Sequence, residues 1–243
     1  MTSLRAALYR YGWDTRCRNR CPARLLETLL PASVRGAGAS LLDVGSGDAG
    51  LAAFLRGFSV VGSDMAPARN GHHRFVQSTA TALPFRDQAF PAVSCIDVLE
   101  HLAPASRPAA VAECVRVAGR LALFAFPNGT QARRHDENFR AACQARHRPL
   151  PGWVSEHLRY AYPEAGQVAE HIRVAAQAMG RRISLRQAAC EPLAVSRMVR
   201  AAASRSAALY LLCNLACGLC APILARAGGR ARYRAILAAE LSG

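Results

Sequence analysis

Short apolar runs recur along this chain, with helix-spaced segments between them. Leu41–Val44, Phe58–Ser63, Arg74–Gln77, Ala92–Asp97, Leu121–Phe126 and Ile183–Gln187 have the length and character of strands. Gly50–Arg56, Ser106–Val117 and Glu164–Met179 carry helical spacing. Gly119 and Gly180 are placed to stop the second and third of these helices. Strands alternating with helices predict an α/β fold, a mostly parallel sheet with helices on both faces. Tyr233–Glu240 suits a strand or a helix equally well.

Three stretches depart from that rhythm. Residues 1–39 read as a helical preamble. Leu25, Leu26, Leu29 and Leu30 have helical spacing and end at Pro31. Tyr9, Tyr11 and Trp13 precede them, with packing on the domain edge as their simplest role. Residues 130–163 are polar and rich in Arg and His, with Pro149, Pro151 and Trp153, and suit a lid over a ligand at the sheet edge. Residues 193–227 form an apolar helical insertion. With 40–129 as the core, the whole of 1–243 reads as one domain, a size that one core supports.

Composition narrows the setting. Apolar residues make up 51% of the chain, which excludes wholesale disorder. The net formal charge is +15, and every basic residue apart from histidine is Arg. That charge suits a phospholipid surface, a nucleic acid or a phosphorylated substrate, although a GC-rich coding sequence explains the Arg bias as simply. Nine cysteines are scattered and no secretory signal is evident, so a reducing, cytoplasmic setting is expected. The Arg-rich Met1–Arg24 mimics a presequence but joins the domain without a spacer. Cys17 and Cys21 read as ordinary thiols without partners. Ala207–Ala225 carries no charge and approaches the ~20 residues of a bilayer span. If Tyr233–Glu240 is the last strand, one crossing would leave it on the wrong side. A helix, or a hairpin bent near Pro222, docked on the domain or on the inner face of a membrane avoids this. Arg197, Arg200, Arg205, Arg226, Arg230, Arg232 and Arg234 would favour anionic lipid there.

The most informative stretch is Ser40–Leu55, SLLDVGSGDAGLAAFL. An apolar run, a glycine turn and a helix-like run form the opening of a nucleotide-binding unit. Glycines admit close approach of a ligand, and the following helix directs free N–H groups at it. Asp64 follows the second strand, about 20 residues on, where this architecture places an acid for ribose hydroxyls.

LLDVGSGDAG, VVGSDMAP, TATALPFRDQAF, VSCIDVLEHL and GRLALFAFPNG, in that order and spacing, resemble class I S-adenosylmethionine-dependent methyltransferases of the type-11 group. The resemblance covers residues 40–129. It implies a Rossmann-like seven-stranded sheet whose last strand is antiparallel, with S-adenosylmethionine lying across the ends of the first strands. By position, Asp43, Gly45, Ser46 and Gly47 would surround its methionine part and the nearby ribose. Asp64 would hold the ribose hydroxyls and Met65 would pack on adenine. Thr79 and Ala80 stand where the family usually places an adenine-binding Asp, leaving a backbone contact. Ala49 replaces the usual third glycine, and Pro91 a common Asp before the fourth strand. Asp97 and Val98 would border the reactive methyl.

An oxygen acceptor needs its proton removed. His101, after the fourth strand, is the first candidate base, with His135 and His157 as candidates from the lid. No zinc-type ligand spacing appears, so no metal is expected. Cys213, Cys217 and Cys220 copy an iron–sulfur spacing but sit too close to the end of the sequence for that fold, and read as packing residues. The block Ile96–Leu99 lacks the Asn/Asp-Pro-Pro-aromatic pattern of base-methylating enzymes, which disfavours nucleic acid. WVSEHLRYAYPE, from Trp153, loosely resembles lid segments of methyltransferases that act in glycan and lipid-linked sugar assembly. Methylation, O-directed, of a small or lipid-linked acceptor at an anionic membrane surface is therefore the first expectation. A catalytically silent binding module is the second, and RNA methylation the third.

Overall fold

The computed structural model describes residues 12–31, 34, 40–47, 50–55, 57–66, 74–221, 223–224 and 231–242. Tyr9, Tyr11, Ala49, Pro222, Arg226 and Arg230, each given a role above, lie outside them. Among the described residues seven strands make one sheet: β1 (Ser40–Val44), β2 (Ser59–Asp64), β3 (Arg74–Gln77), β4 (Phe90–Ile96), β5 (Ala118–Pro127), β6 (Arg182–Pro192) and β7 (Arg232–Ser242). Their order is β3-β2-β1-β4-β5-β7-β6. β1 to β5 pair in parallel, and β7 runs antiparallel to both β5 and β6. Tyr233–Glu240 is thus a strand, and the antiparallel last strand is as expected.

The central strands bury both faces. Leu41, Leu121, Leu123, Ala125, Ile236 and Ala238 point to one side and meet Ala23, Leu26 and Leu30 of the preamble. Leu42, Val44, Phe124, Phe126 and Leu237 point to the other, against Val111, Val115 and Ile172. This period-2 alternation in continuously apolar runs is what a sheet covered on both faces requires. The covering helices are α1 (Cys21–Leu29), α2 (Arg107–Val117) and α5 (Ala165–Ala178). A helical turn (Trp13–Thr15) and a π-helical stretch (Arg16–Arg20) lead into α1.

Several expectations need correcting. The segment after the glycine turn is only a 3-10 turn, Leu51–Ala53, not a helix over Gly50–Arg56. Gly119 does not end its helix: α2 runs straight into β5, and Gly119 lies inside that strand. Pro91 is not ahead of the fourth strand but within it, at a shift of register between Phe90 and Ala92. Proline cannot donate to the ladder, so it is tolerated at such an irregularity. The lid is largely helical: α3 (Gly129–Gln144) and α4 (Gly152–His157) pack through Ala132, Phe139, Val154 and Leu158 onto Leu193 and Tyr233. Polar composition concealed α3, because only one narrow face of it is buried.

The apolar insertion is a helix pair, α6 (Leu193–Arg205) and α7 (Ala207–Leu219), divided at Ser206, whose side chain caps α7 by accepting from the N–H of Leu209. No helix among the described residues is long and apolar enough to cross a membrane. The N-terminal turn fastens α7. The Asp14 N–H donates to Asn214, Tyr210 donates to Asp14 and Arg16 donates to the Gly218 carbonyl.

Candidate functional site

The C-terminal ends of β1, β2 and β4 converge on the glycine turn, the edge where open α/β sheets bind ligands. Asp43 closes β1 and is buried. Its carboxylate accepts from the Leu51 N–H at 2.7 Å and from the Ser94 hydroxyl at 2.8 Å, so it braces the turn from below. The Gly45 and Ser46 N–H groups both donate to the Ser63 carbonyl. Gly45 has φ +72°, and a Cβ there would come within 2.2 Å of a Val98 methyl. Gly47 has φ +53°, with nothing around the position of a Cβ, and its N–H donates to Asp64 at 3.0 Å. Asp64 also accepts from the Ala66 N–H at 3.2 Å. Met65 is 67% exposed beside it. Thr79 makes a small bridge with Ala82, its hydroxyl 3.2 Å from that of Thr81, and Ala80 packs on the core.

These residues fit S-adenosylmethionine by donor chemistry. A carboxylate sits at the end of β2, an open glycine cradle ends β1, and an apolar side chain lies next to the carboxylate. Arg18 and Asn19 of the π-helical stretch line the hollow over the turn, whose free volume is about 10 Å³.

Asp97 differs most from expectation. It ends β4 with φ +52°, a strained value for a residue with a side chain. It is buried and clamped by Arg234, whose Nε and Nη2 donate at 3.0 and 2.5 Å, with Arg18 3.3 Å away. Burial alone would raise its carboxyl, but the Arg234 and Arg18 guanidiniums outweigh that and hold it at about 2. Arg234 also binds Glu191. Burial pushes the Glu191 carboxyl up to about 7, against the pull of Arg234.

Beyond Asp97 lies a cavity of about 640 Å³, walled by the N-terminal helical segments, the lid, α6, α7 and the start of β7. His101 and His157 line it, their rings 4.9 Å apart, with Trp153, Phe139, Tyr210, Tyr233 and Arg200. His135, the third candidate, does not line it. It is buried against Tyr233, 5.6 Å between rings, and burial with Arg200 and Arg197 nearby lowers it to about 3. Its neighbour Asp136 is the organising group instead. That fully buried carboxylate accepts from Tyr162 at 2.5 Å and Tyr233 at 2.8 Å, is bound by Arg200, and lies 3.3 Å from His157 Nδ1. Burial lowers His157 to about 4, and burial with His157 beside it lowers His101, so both imidazoles are neutral near pH 7.

Arg200 and Arg234, read from the sequence as favouring anionic lipid, instead turn inward onto Asp136 and Asp97, and Glu191 joins Arg234 without any signal in the sequence. Only the Glu100–His101 and His135–Asp136 adjacencies offered any signal. Cys21 does have a partner: it hydrogen-bonds Cys190, which lowers it to about 7 together with Arg24 and Arg234 and against burial. The Cys190 thiol donates to the Cys17 carbonyl. Cys213 is half-buried, Cys217 buried and Cys220 exposed along α7.

Comparison with known proteins agrees with this geometry. Residues 42–126 match the model of a family described as a methyltransferase domain. A demethylmenaquinone methyltransferase of Thermus thermophilus is 33% identical over 138 residues, 49% of this chain and 58% of that enzyme. The match therefore spans little more than half of that relative. A phosphoethanolamine N-methyltransferase 2 of Haemonchus contortus, solved with S-adenosyl-L-methionine, superposes with TM-score 0.54 at 15% identity, over 99% of this chain and 60% of that one. The [4+2]-cyclase SpnF superposes with TM-score 0.51 at 20% identity, over 90% and 80% of the two chains. At such identities the two structures show the fold alone, and a fold hosts more than one chemistry. Sheet order, glycine turn and the match over residues 42–126 together show an S-adenosylmethionine-dependent methyltransferase domain in this chain, similar to those of the class I, type-11 group.

Proposed function

We propose that the chain transfers a methyl group from S-adenosylmethionine to an oxygen of a small, ring-bearing or lipid-linked acceptor held in the 640 Å³ cavity. When bound, the cofactor supplies a methyl on a sulfonium, open to in-line displacement. The protein's task is then to align the acceptor and exclude water. Asp64 would accept from two ribose hydroxyls, the Gly45–Gly47 backbone would cradle the methionine part, and Arg18, which lines the hollow over the turn, would meet its carboxylate. Thr79, Ala80 and Met65 would flank adenine. Val98, against Gly45, and Asp97 would form the floor between cofactor and acceptor.

The observation that carries this reading is the cavity itself. Its aromatic walls suit an apolar ring, and its two imidazoles, His101 and His157, would stand beside an acceptor hydroxyl that has to shed a proton. The acceptor named for the Thermus relative, demethylmenaquinone, supports a ring-bearing molecule. A membrane source is supported by α7. Tyr210 and Ala207 face the cavity, while Leu209, Leu212 and Leu219 stand 43%, 67% and 70% exposed. Arg197 and Arg205 would meet anionic headgroups beside them.

The test is incubation with methyl-labelled cofactor and separate phenolic, lipid-linked sugar and RNA fractions. Label on oxygen in the phenolic or lipid fraction is expected, lost with Asp64→Ala. Label in RNA alone, or in no fraction, would overturn the reading.

A further inference from the structure

The geometry points to a divalent-cation site formed by Glu100, His101 and His157 on the wall of the acceptor cavity. Each of the three offers one donor atom, and these atoms all lie within 4.8 Å of one another. A cation bound about 2.0–2.2 Å from nitrogen and oxygen ligands sets those ligands roughly 3.5 Å apart. The 4.8 Å spread is the outer limit, and Glu100 Oε1 and His157 Nε2 already lie 3.8 Å apart. Sequence spacing hides the site because the ligands come from two separate segments, the turn after β4 and the end of α4.

The first argument is Glu100. Its side chain is fully buried, and neither carboxylate oxygen has a hydrogen-bond partner. A buried carboxylate without partners is costly, and the cost is relieved by a proton or by a bound cation. The nearest cationic candidate is His157, whose Nε2 lies 3.8 Å from Glu100 Oε1.

The second argument is the orientation of His157. Its Nδ1 faces Asp136, itself fixed by Tyr162, Tyr233 and Arg200. Donation from Nδ1 to that carboxylate leaves the lone pair on Nε2, directed at Glu100. A carboxylate that locks an imidazole from behind is the usual support of a metal-binding histidine. Two acceptors facing each other need a proton or a cation between them. His101 completes the set from the cavity side. Its side chain is one-third exposed, and its Nδ1 is 3.6 Å from the exposed Glu156 carboxylate, a further oxygen for the outer shell.

Two imidazoles and one carboxylate suit a first-row ion such as manganese, cobalt or zinc better than magnesium or calcium, which prefer all-oxygen sets. The remaining coordination positions open toward the cavity. This step rests on the methyl-transfer reading: an acceptor hydroxyl bound there would release its proton to water more readily. The O–CH3 bond then forms as the sulfonium C–S bond breaks, leaving the thioether. Acceptors with two adjacent oxygens, as in catechols and quinols, would chelate best.

The test uses the full chain after chelator treatment, without cofactor, titrated with Mn2+ and followed by the loss of the free-ion resonance signal. One ion per chain is expected. Glu100→Gln and His157→Gln should each weaken it at least about 10-fold, and His135→Gln should not. His101→Gln, partly exposed and safe for folding, supplies the same loss should the buried variants fail to fold. Co2+ should show nitrogen and oxygen ligation without a thiolate charge-transfer band. No binding, binding unchanged in His101→Gln, or a thiolate signature would overturn the site. S-adenosylmethionine binding, measured separately, distinguishes failure of this inference from failure of the methyl-transfer reading.

Discussion

The cofactor edge and the acceptor cavity are built by different means. At the cofactor edge the binding groups are mostly backbone, and their partners lie close in sequence. Asp43 reaches Leu51 eight residues on, and Gly47 reaches Asp64 seventeen residues on. The acceptor cavity is held by side chains from remote segments. Arg234 clamps Asp97 across 137 residues, and Tyr233 meets Asp136 across 97. One half is a reusable backbone device. The other is a network of buried charge whose members depend on one another.

If that contrast is right, the halves should fail differently. The largest effect is expected at Arg234, the hub of two buried carboxylates. Arg234→Leu should cost about 3–5 kcal/mol, since it leaves buried Asp97 with only half-exposed Arg18 and buried Glu191 with only the Ser196 hydroxyl. Chemical denaturation checks this. Arg18→Ala, removing a half-exposed partner of the same Asp97, should cost under about 1 kcal/mol. Equal losses would mean that the network is not organised around Arg234.

Acidity should separate the halves next. Glu191 in the folded chain keeps a proton, up to about pH 7, that an ordinary carboxyl of 4.5 has already released. A raised carboxyl binds more protons folded than unfolded. Its contribution is therefore full below pH 4.5 and lost as pH climbs to 7, about 3 kcal/mol in all. His135 and His157, lowered to about 3 and about 4, act the other way over the same window, because the unfolded imidazoles take up protons there that the folded ones refuse. The Glu191 effect is therefore read as a difference: from pH 4.5 to 7 the urea midpoint of Glu191→Gln should gain on that of the wild type, and parallel curves would contradict the assignment.

Gly45→Ala should act on the cofactor edge alone. The added methyl meets Val98 at 2.2 Å at a φ of +72°, a strain of about 1–3 kcal/mol. Cofactor affinity should fall while acceptor-side variants such as Trp153→Ala leave it intact. Trp153 stacks 6.2 Å from Phe139 with Arg200 over its ring, so its loss should raise the acceptor KM more than it lowers kcat. The smallest effect is at Cys21. With its thiol lowered to about 7, it should react with iodoacetamide at neutral pH ahead of buried Cys17, whose thiol burial pushes up.

The same contrast explains what could be read from the sequence. Strand positions, helices on both faces and the glycine turn follow from local pattern, with Arg74–Gln77 matched to the residue, whereas the order of the strands does not. Leu41 and Leu42 already announce the two faces of the sheet. The short turn at Leu51–Ala53 was over-read as a helix because a Leu-Ala-Ala-Phe-Leu run has helical composition whatever the tertiary packing allows. The acceptor side was legible only in fragments. His101 and His157 were found as residues, yet nothing local indicates that they meet, that His135 turns away, or that Asp136 joins Tyr162, Tyr233, Arg200 and His157. Arg234 sits in a run that suited helix as well as strand. Its role depends on β7 inserting between β5 and β6.

Calorimetry of S-adenosylmethionine with the wild-type chain and with Asp64→Asn tests the account most directly. One site per chain is predicted, weakened about 10-fold or more in the variant, as expected for losing charge-assisted hydrogen bonds to ribose hydroxyls. Circular dichroism would confirm that the variant is folded. No binding to the wild type, or equal binding to a folded Asp64→Asn, would contradict it.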